Sequence, residues 1–367
     1  MAFLIRRIHI DITNNVPDLA IENTHEIAVT RSIGLRVLSL LLKSLIGIAA
    51  LGFIYHEVIH KQGIAEIQAL ASAVLDDYLD MAIVTLVVFM MFVNWTLESL
   101  KWKFLINKIE KISVFRSVRA IFSGTSISVF TPNRIGDFGA RIFYLDHSDR
   151  LKAVFITLLG SISQFVITVL VGVLAMSIYT LAIYPGMIDP IVGYGIFGVL
   201  SLLTILTLIS YYNVSALTRW GKTMFRSFTF LRRPQVEKRL RGYVDVFSLY
   251  STRELSLTLG YSFLRYIVFS AQFYLLLIVF NVDIALIPAL ALIALTFFTL
   301  AVIPTVALTE LGVRGSVALY FLSQVSENSA GIITATFVLW IINLALPAII
   351  GSVFFFSATI FKEAELS

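Results

Sequence analysis

The sequence predicts an all-α, polytopic integral membrane bundle, an inverted-topology repeat of about six full spans plus two re-entrant broken hairpins. Three observations predict it. Apolar stretches long enough to cross a bilayer recur along the chain, and the loops between them alternate in charge. Five residues are also written twice, as Asp137-Phe138-Gly139-Ala140-Arg141 and as Glu310-Leu311-Gly312-Val313-Arg314, each shortly after a proline, Pro132 or Pro304.

The composition supports the class. Hydrophobic residues make up 58% of the 367 and charged ones only 14%, with a mean hydropathy of +0.89. Soluble domains carry about 25% charged residues, so this surface is built for lipid. The chain has no cysteine, which excludes a disulfide framework, thiolate metal sites and a cysteine nucleophile. The net charge of +5 is modest, and its placement is more informative than its size.

Residues 1–33 read as a polar cytosolic tail; they lack the basic start, short apolar core and small-residue cleavage site of a signal peptide. A single membrane domain follows over 34–361. A membrane helix needs about 20 mostly apolar residues, and the stretches 34–55, 79–100, 153–183, 191–212, 256–280 and 332–360 meet that need. Two more, 112–144 and 284–322, are interrupted by proline, glycine and charge at the repeated motif.

Loop charge orients the spans, because basic residues stay on the cytoplasmic side. Arg31 and Arg36 precede the first span, so it starts inside. Glu57, Glu66, Asp76, Asp77 and Asp80 then mark an outside loop, and Lys101, Lys103, Lys108, Lys111, Arg116 and Arg119 an inside end. Arg150 and Lys152 keep the next start inside, which makes 112–144 a hairpin that enters and leaves from the cytoplasm. The loop 213–254 is basic and cytoplasmic, whereas Asp283 and Glu327 flank 284–322, a hairpin entering from outside. Lys362 lies in a short inside tail, 362–367. The halves, about 32–184 and 191–361, are thus upside-down copies with both termini in the cytoplasm of a cell membrane. An alternative of eight full spans would place one motif at a membrane surface.

Backbone in hydrocarbon must be hydrogen-bonded, so broken helices survive only where protein or trapped water lines them. Pro132 cannot continue a helix interior, while Gly136 and Gly139 permit tight turning and close approach. Intramembrane charge is costly, about 2.5–3.5 kcal/mol per residue, and marks functional sites; repeat interfaces hold the substrate sites of many transporters. Arg134 and Arg141 suit bidentate contact with a phosphate, and Asp137 can hold an arginine when no ligand is bound. Pro304, Glu310, Gly312 and Arg314 repeat the logic. The competing reading is that each acid–arginine set is an internal ion pair that locks the hairpins together.

At these residues the chain resembles the membrane region of lysylphosphatidylglycerol synthases, a family also called flippase-like. The resemblance is carried by Phe122-Ser123-Gly124-Thr125, Thr131-Pro132-Asn133-Arg134-Ile135-Gly136-Asp137 with Arg141, and Ile303-Pro304 with Leu311-Gly312-Val313-Arg314-Gly315. Thr131, Pro132, Arg134, Gly136, Asp137 and Arg141 match the first motif position by position; the second motif is weaker. What the resemblance implies is translocation of lipids or handling of their polar headgroups. In bifunctional members a soluble acyltransferase-like domain follows the membrane region. Only a few residues follow it here, so the expectation is that this chain does not itself make lysyl-lipid.

His56-Glu57-Val58-Ile59-His60 fits the H-E-x-x-H pattern of zinc proteases, but a catalytic zinc wants a third protein ligand and none is evident. Lys43 sits within the first apolar run. Glu98 and Lys101 read as a local ion pair at the inner interface, and Gln164, Arg265 and Asn343 as polar positions in spans able to line a cavity. Trp95, Trp102, Trp220 and Trp340 read as interface anchors. No phosphate loop, dinucleotide fingerprint or nucleophile elbow occurs. The expectation is a transporter moving an anionic lipid headgroup between leaflets by alternating access, without cofactor or nucleic-acid partner. Thr131, Arg134, Asp137, Arg141, Glu310 and Arg314 are its candidate binding residues. A membrane enzyme acting on lipid-linked substrates is the alternative.

Overall fold

A computed structural model of the chain describes residues 72, 74, 76–129, 131, 136–146, 150–180, 189–214, 245–303 and 307–364; the side chains of 190, 245, 307–311 and 358–364 lie outside that description. The described chain is helical throughout, in the order α1 Tyr78–Ile106, α2 Val114–Ser128, α3 Gly136–Arg141, α4 Arg150–Ile178, α5 Pro190–Tyr212, α6 Thr252–Val279, α7 Leu286–Val302, α8 Ala307–Leu322, α9 Ser329–Trp340 and α10 Leu346–Ala364. A π-helical turn, Ile341–Ala345, joins α9 to α10 without a break. Among the described residues, five helices are long and apolar enough to span a bilayer: α1, α4, α5, α6 and the α9–α10 unit. They coincide with five of the six expected spans; the sixth, 34–55, lies outside the described residues, as do Lys43 and the H-E-x-x-H residues His56, Glu57 and His60.

Side-chain caps set several helix starts. The Asp77 carboxylate accepts from the Leu79 amide at 2.7 Å, Ser113 caps α2, and Ser251 with Glu254 forms a reciprocal capping box at α6, satisfying amides that have no partner within the helix. Asn328 caps α9 and also donates to the Phe280 and Asn281 carbonyls at 3.0 Å each, which ties α9 to the end of α6.

The two charged stretches become two-armed hairpins. The arms α2, α7 and α8 have 15, 17 and 16 residues, about 22–26 Å at 1.5 Å per residue. That falls short of the roughly 30 Å hydrocarbon core. The second arm of the first hairpin, α3, has only 6 residues.

Packing follows a reciprocal scheme. α1 lies antiparallel on α6: Val87 pairs with Gln272 at one end and Lys101 with Ser262 toward the other. α2 packs on α10, and α7 packs on α4, so each hairpin's first arm rests against a long helix from the opposite half of the sequence. Both contacts are made at a glycine. A side chain at Gly351 would overlap the Phe122 carbonyl, and one at Gly172 would come within 2.6 Å of the Phe298 side chain. Glycine there lets backbones approach as small residues do at membrane helix interfaces.

Candidate functional site

On α1, Asn94, Glu98 and Lys101 fall on one face by helical spacing, and all three are buried. Glu98 is the centre. Its Oε2 lies 2.8 Å from Lys101 Nζ and 2.5 Å from Arg265 Nη1 of α6. Its Oε1 lies 3.1 Å from Arg141 Nη1 of α3. Arg141 in turn grips Asp137 through two parallel bonds, Nε to Oδ1 at 2.7 Å and Nη2 to Oδ2. Lys101 completes its shell with the Gly160 carbonyl at 3.1 Å and the Ser262 hydroxyl at 3.4 Å.

Arg265 joins this cluster to a cavity. Its Nε donates to Asn94 Oδ1 at 2.9 Å, its Nη1 reaches Gln164 Oε1 at 3.4 Å, and its guanidinium sits 5.8 Å from the Trp95 ring centroid. Asn94, Trp95, Gln164 and Arg265 all line a cavity of about 300 Å³, together with Arg314 of α8 and Trp340 of α9. The π-helical turn supplies Asn343 to the same wall, where it accepts from Asn94 at 3.5 Å. Such turns concentrate at functional sites. Aromatic rings cover another side: Phe297 packs with Tyr266, Phe269 and Phe273 at centroid distances of 5.0 to 6.0 Å.

The far side of the charged cluster is closed toward the C-terminal end of α1. Trp102 Nε1 donates to Thr157 at 3.0 Å, and the Tyr250 hydroxyl donates to the Leu105 carbonyl at 2.7 Å. Burial, reinforced by the Glu254 carboxylate, pushes the Tyr250 phenol above its usual range. Lys108 and Glu254 pair at 2.6 Å beyond it.

The motif residues divide between these features. Asp137 and Arg141 enter the charged cluster, and Arg314 lines the cavity. Thr131 shapes the hairpin: its hydroxyl accepts from the Gly136 amide at 2.7 Å and donates to the Ser128 carbonyl at 3.2 Å. Gly136 is hemmed in by Thr131 and Ile127, and a side chain at Gly124 would collide with Asp137. Gly139 and Gly312 differ from the expectation, since a Cβ at either would meet nothing within 4 Å; close approach is the work of Gly124 and Gly136. Pro132, Arg134 and Pro304, and the side chain of Glu310, lie outside the described residues.

Two readings change. Glu98 and Lys101 do form the expected local ion pair, at 2.8 Å, but it is buried and not confined to the two of them, because Arg141 and Arg265 converge on the same carboxylate. The signal was an acid and a base in register with Asn94 inside an apolar helix, where ionisable residues are expensive. The tryptophans also differ. Trp95, Trp102 and Trp340 are 8%, 1% and 5% exposed, held in the interior by ring packing and the cavity, whereas interface anchors would be half exposed; Trp220 lies outside the described residues. Gln164, Arg265 and Asn343 do line the cavity.

Long apolar helices, broken hairpins and a buried ionic cluster beside a cavity define a polytopic helical membrane protein. Residues 40–351 match the family described as the lysylphosphatidylglycerol synthase TM region, and the chain belongs to that family. Neither the curated proteins nor the solved structures contain a match to it.

Proposed function

We propose that this membrane protein, of a lipid-related family, moves lipids with an anionic headgroup between leaflets. The observation that carries the reading is the convergence of Arg265 and Arg314, with the amides of Asn94, Gln164 and Asn343, on one interior cavity. Arginine is the side chain suited to forked contact with a phosphate. A volume near 300 Å³ sits at the small end of ligand pockets, about 300–1,000 Å³; it accommodates a headgroup while the acyl chains stay in the bilayer.

In this reading the two sequence halves are inverted repeats in a cell membrane, with both termini cytoplasmic and the cavity between them. Arg265 and Arg314 meet the phosphate. Glu98, Asp137 and Arg141 hold the first hairpin against α1 and α6, and release of that contact opens the cavity to the second leaflet. Arg134 and Glu310 remain candidate binding residues of that pathway.

Purified protein in liposomes should then transfer a fluorescent phosphatidylglycerol between leaflets. Loss of one charge-assisted contact, worth about 1.5–3 kcal/mol, makes Arg314→Gln slower by about tenfold or more. Transfer at the wild-type rate in both Arg314→Gln and Arg265→Gln, each shown to be folded, would overturn the proposal.

A further inference from the structure

Three buried hydrogen-bond donors on cavity-lining residues have no partner among the described residues, the Tyr266 hydroxyl and two indole N–H groups, and the indoles carry the argument. Trp95 and Trp340 both line the cavity, both are more than nine-tenths buried, and neither indole Nε1 has a hydrogen-bond partner among the described residues. A buried N–H left unpaired is expensive, and each such group in a native structure calls for an explanation. Trp102 shows the alternative within the same helix, since its Nε1 is satisfied by Thr157.

The ring faces of both tryptophans are engaged. Trp95 carries the Arg265 guanidinium at 5.8 Å and packs against Phe122 at 5.9 Å. Trp340 stacks on Phe337 at 6.3 Å with the planes 12° apart. The rings are therefore fixed by their neighbours, and in both of them the N–H is the polar group that no described residue satisfies. The two edges belong to one site, because the Asn94–Asn343 contact joins the helical segments that carry them.

A bare phosphate is served by the arginines alone. Two further neutral donors, three amide side chains and a wall of rings around Phe297 match a ligand with several hydroxyl oxygens and a C–H face. We infer that Trp95 and Trp340 are ligand-recognition residues, and that the cavity takes the phosphate ester of a sugar or cyclitol. The inference rests on the anionic-headgroup reading above and names the class of headgroup. Amides and indoles recognise hydroxyls, the arginines hold the phosphate, and the rings pack against the carbon skeleton of the sugar.

The test uses the full-length protein in nanodiscs of phosphatidylcholine, with phosphatidylinositol, phosphatidic acid or soluble inositol phosphate as probes. Phosphatidylinositol should bind more tightly than phosphatidic acid. Trp95→Phe and Trp340→Phe keep a ring and remove the donor, and each should weaken phosphatidylinositol by about fivefold, the size of one neutral hydrogen bond, while leaving phosphatidic acid unchanged. Trp102→Phe should leave both unchanged. Because a variant can misfold, the wild-type indole N–H resonances are read as well: those of Trp95 and Trp340 should shift with phosphatidylinositol and that of Trp102 should not. Equal affinity for the two lipids with unshifted indoles would overturn this inference and leave the anionic-lipid reading standing. Soluble inositol phosphate binding as tightly as phosphatidylinositol, with the same tryptophan dependence, would uphold the recognition site and remove the lipid. Failure of all three probes to bind would overturn both.

Discussion

The Arg141 guanidinium lies 3.1 Å from Glu98, and this contact joins the short arm of the first hairpin to the long helix α1. Glu98 is also the carboxylate on which Lys101 and Arg265 converge. One side chain thus holds cations from two long helices and one hairpin.

Removing that carboxylate takes the shared counter-ion from two buried cations, Lys101 and Arg141, and from the part-buried Arg265. Breaking a buried ion pair from one side costs about 3–5 kcal/mol, far above the roughly 0.6 kcal/mol average of a neutral hydrogen bond between membrane helices. Glu98→Gln should therefore lower stability by about 3–5 kcal/mol in denaturant titrations of the detergent-solubilised protein. A loss near the neutral value would mean that the cluster is solvated.

Gly351 and Gly172 test the packing scheme in parallel. A Cβ at Gly351 meets the backbone carbonyl of Phe122, which cannot swing aside; at Gly172 it meets the side chain of Phe298. Overpacking costs about 1–3 kcal/mol, so Gly351→Ala should lose more stability than Gly172→Ala in the same titrations. The reverse order would show that the Phe122 turn of α2 yields more readily than the Phe298 ring.

The spans and broken hairpins were legible because apolar length and proline–glycine interruption are local properties of the chain. Part of the site was legible for the same reason: the doubled motif led to Asp137, Arg141 and Arg314. Glu98 was not. It sits three residues before Lys101, and in sequence a pair at that spacing is satisfied locally. Only the antiparallel packing of α1 on α6, with α3 alongside, brings Arg265 and Arg141 onto the same oxygens. Trp95 and Trp340 were misplaced because tryptophan in a membrane protein is commonest at the interface, and burial is set by neighbours far along the chain.

Arg141 and Arg265 should separate in function. Three donor nitrogens of Arg141 are taken by Asp137 and Glu98, and Arg141 is not on the cavity wall. Lysine cannot reproduce the fork. Arg141→Lys should lower stability while the affinity for anionic lipid stays within about twofold, whereas Arg265→Lys should weaken that affinity by about tenfold, the value of one charge-assisted bond. Lipid titration by tryptophan fluorescence, run beside denaturant unfolding, checks both. Equal loss of affinity in the two variants would place Arg141 in direct contact with the headgroup.

The hairpin α2 offers a mechanical test, because the natural chain contains no cysteine to remove first. The Ser126 hydroxyl donates to the Ala348 carbonyl at 2.9 Å, which puts the two residues in direct contact across α2 and α10; a disulfide forms where Cα atoms are about 4.4–6.8 Å apart. Ser126→Cys with Ala348→Cys should cross-link on mild oxidation, seen as one band on a gel after cleavage between the two positions. Headgroup binding should survive the cross-link, since neither residue lines the cavity. Transfer between leaflets should fall, because alternating access requires one half to move against the other, and α2 on α10 is a contact between halves. Reduction should restore the rate. Full transfer with the bond intact would mean that α2 and α10 travel together, and the moving boundary would then lie at the other reciprocal contact, α7 on α4.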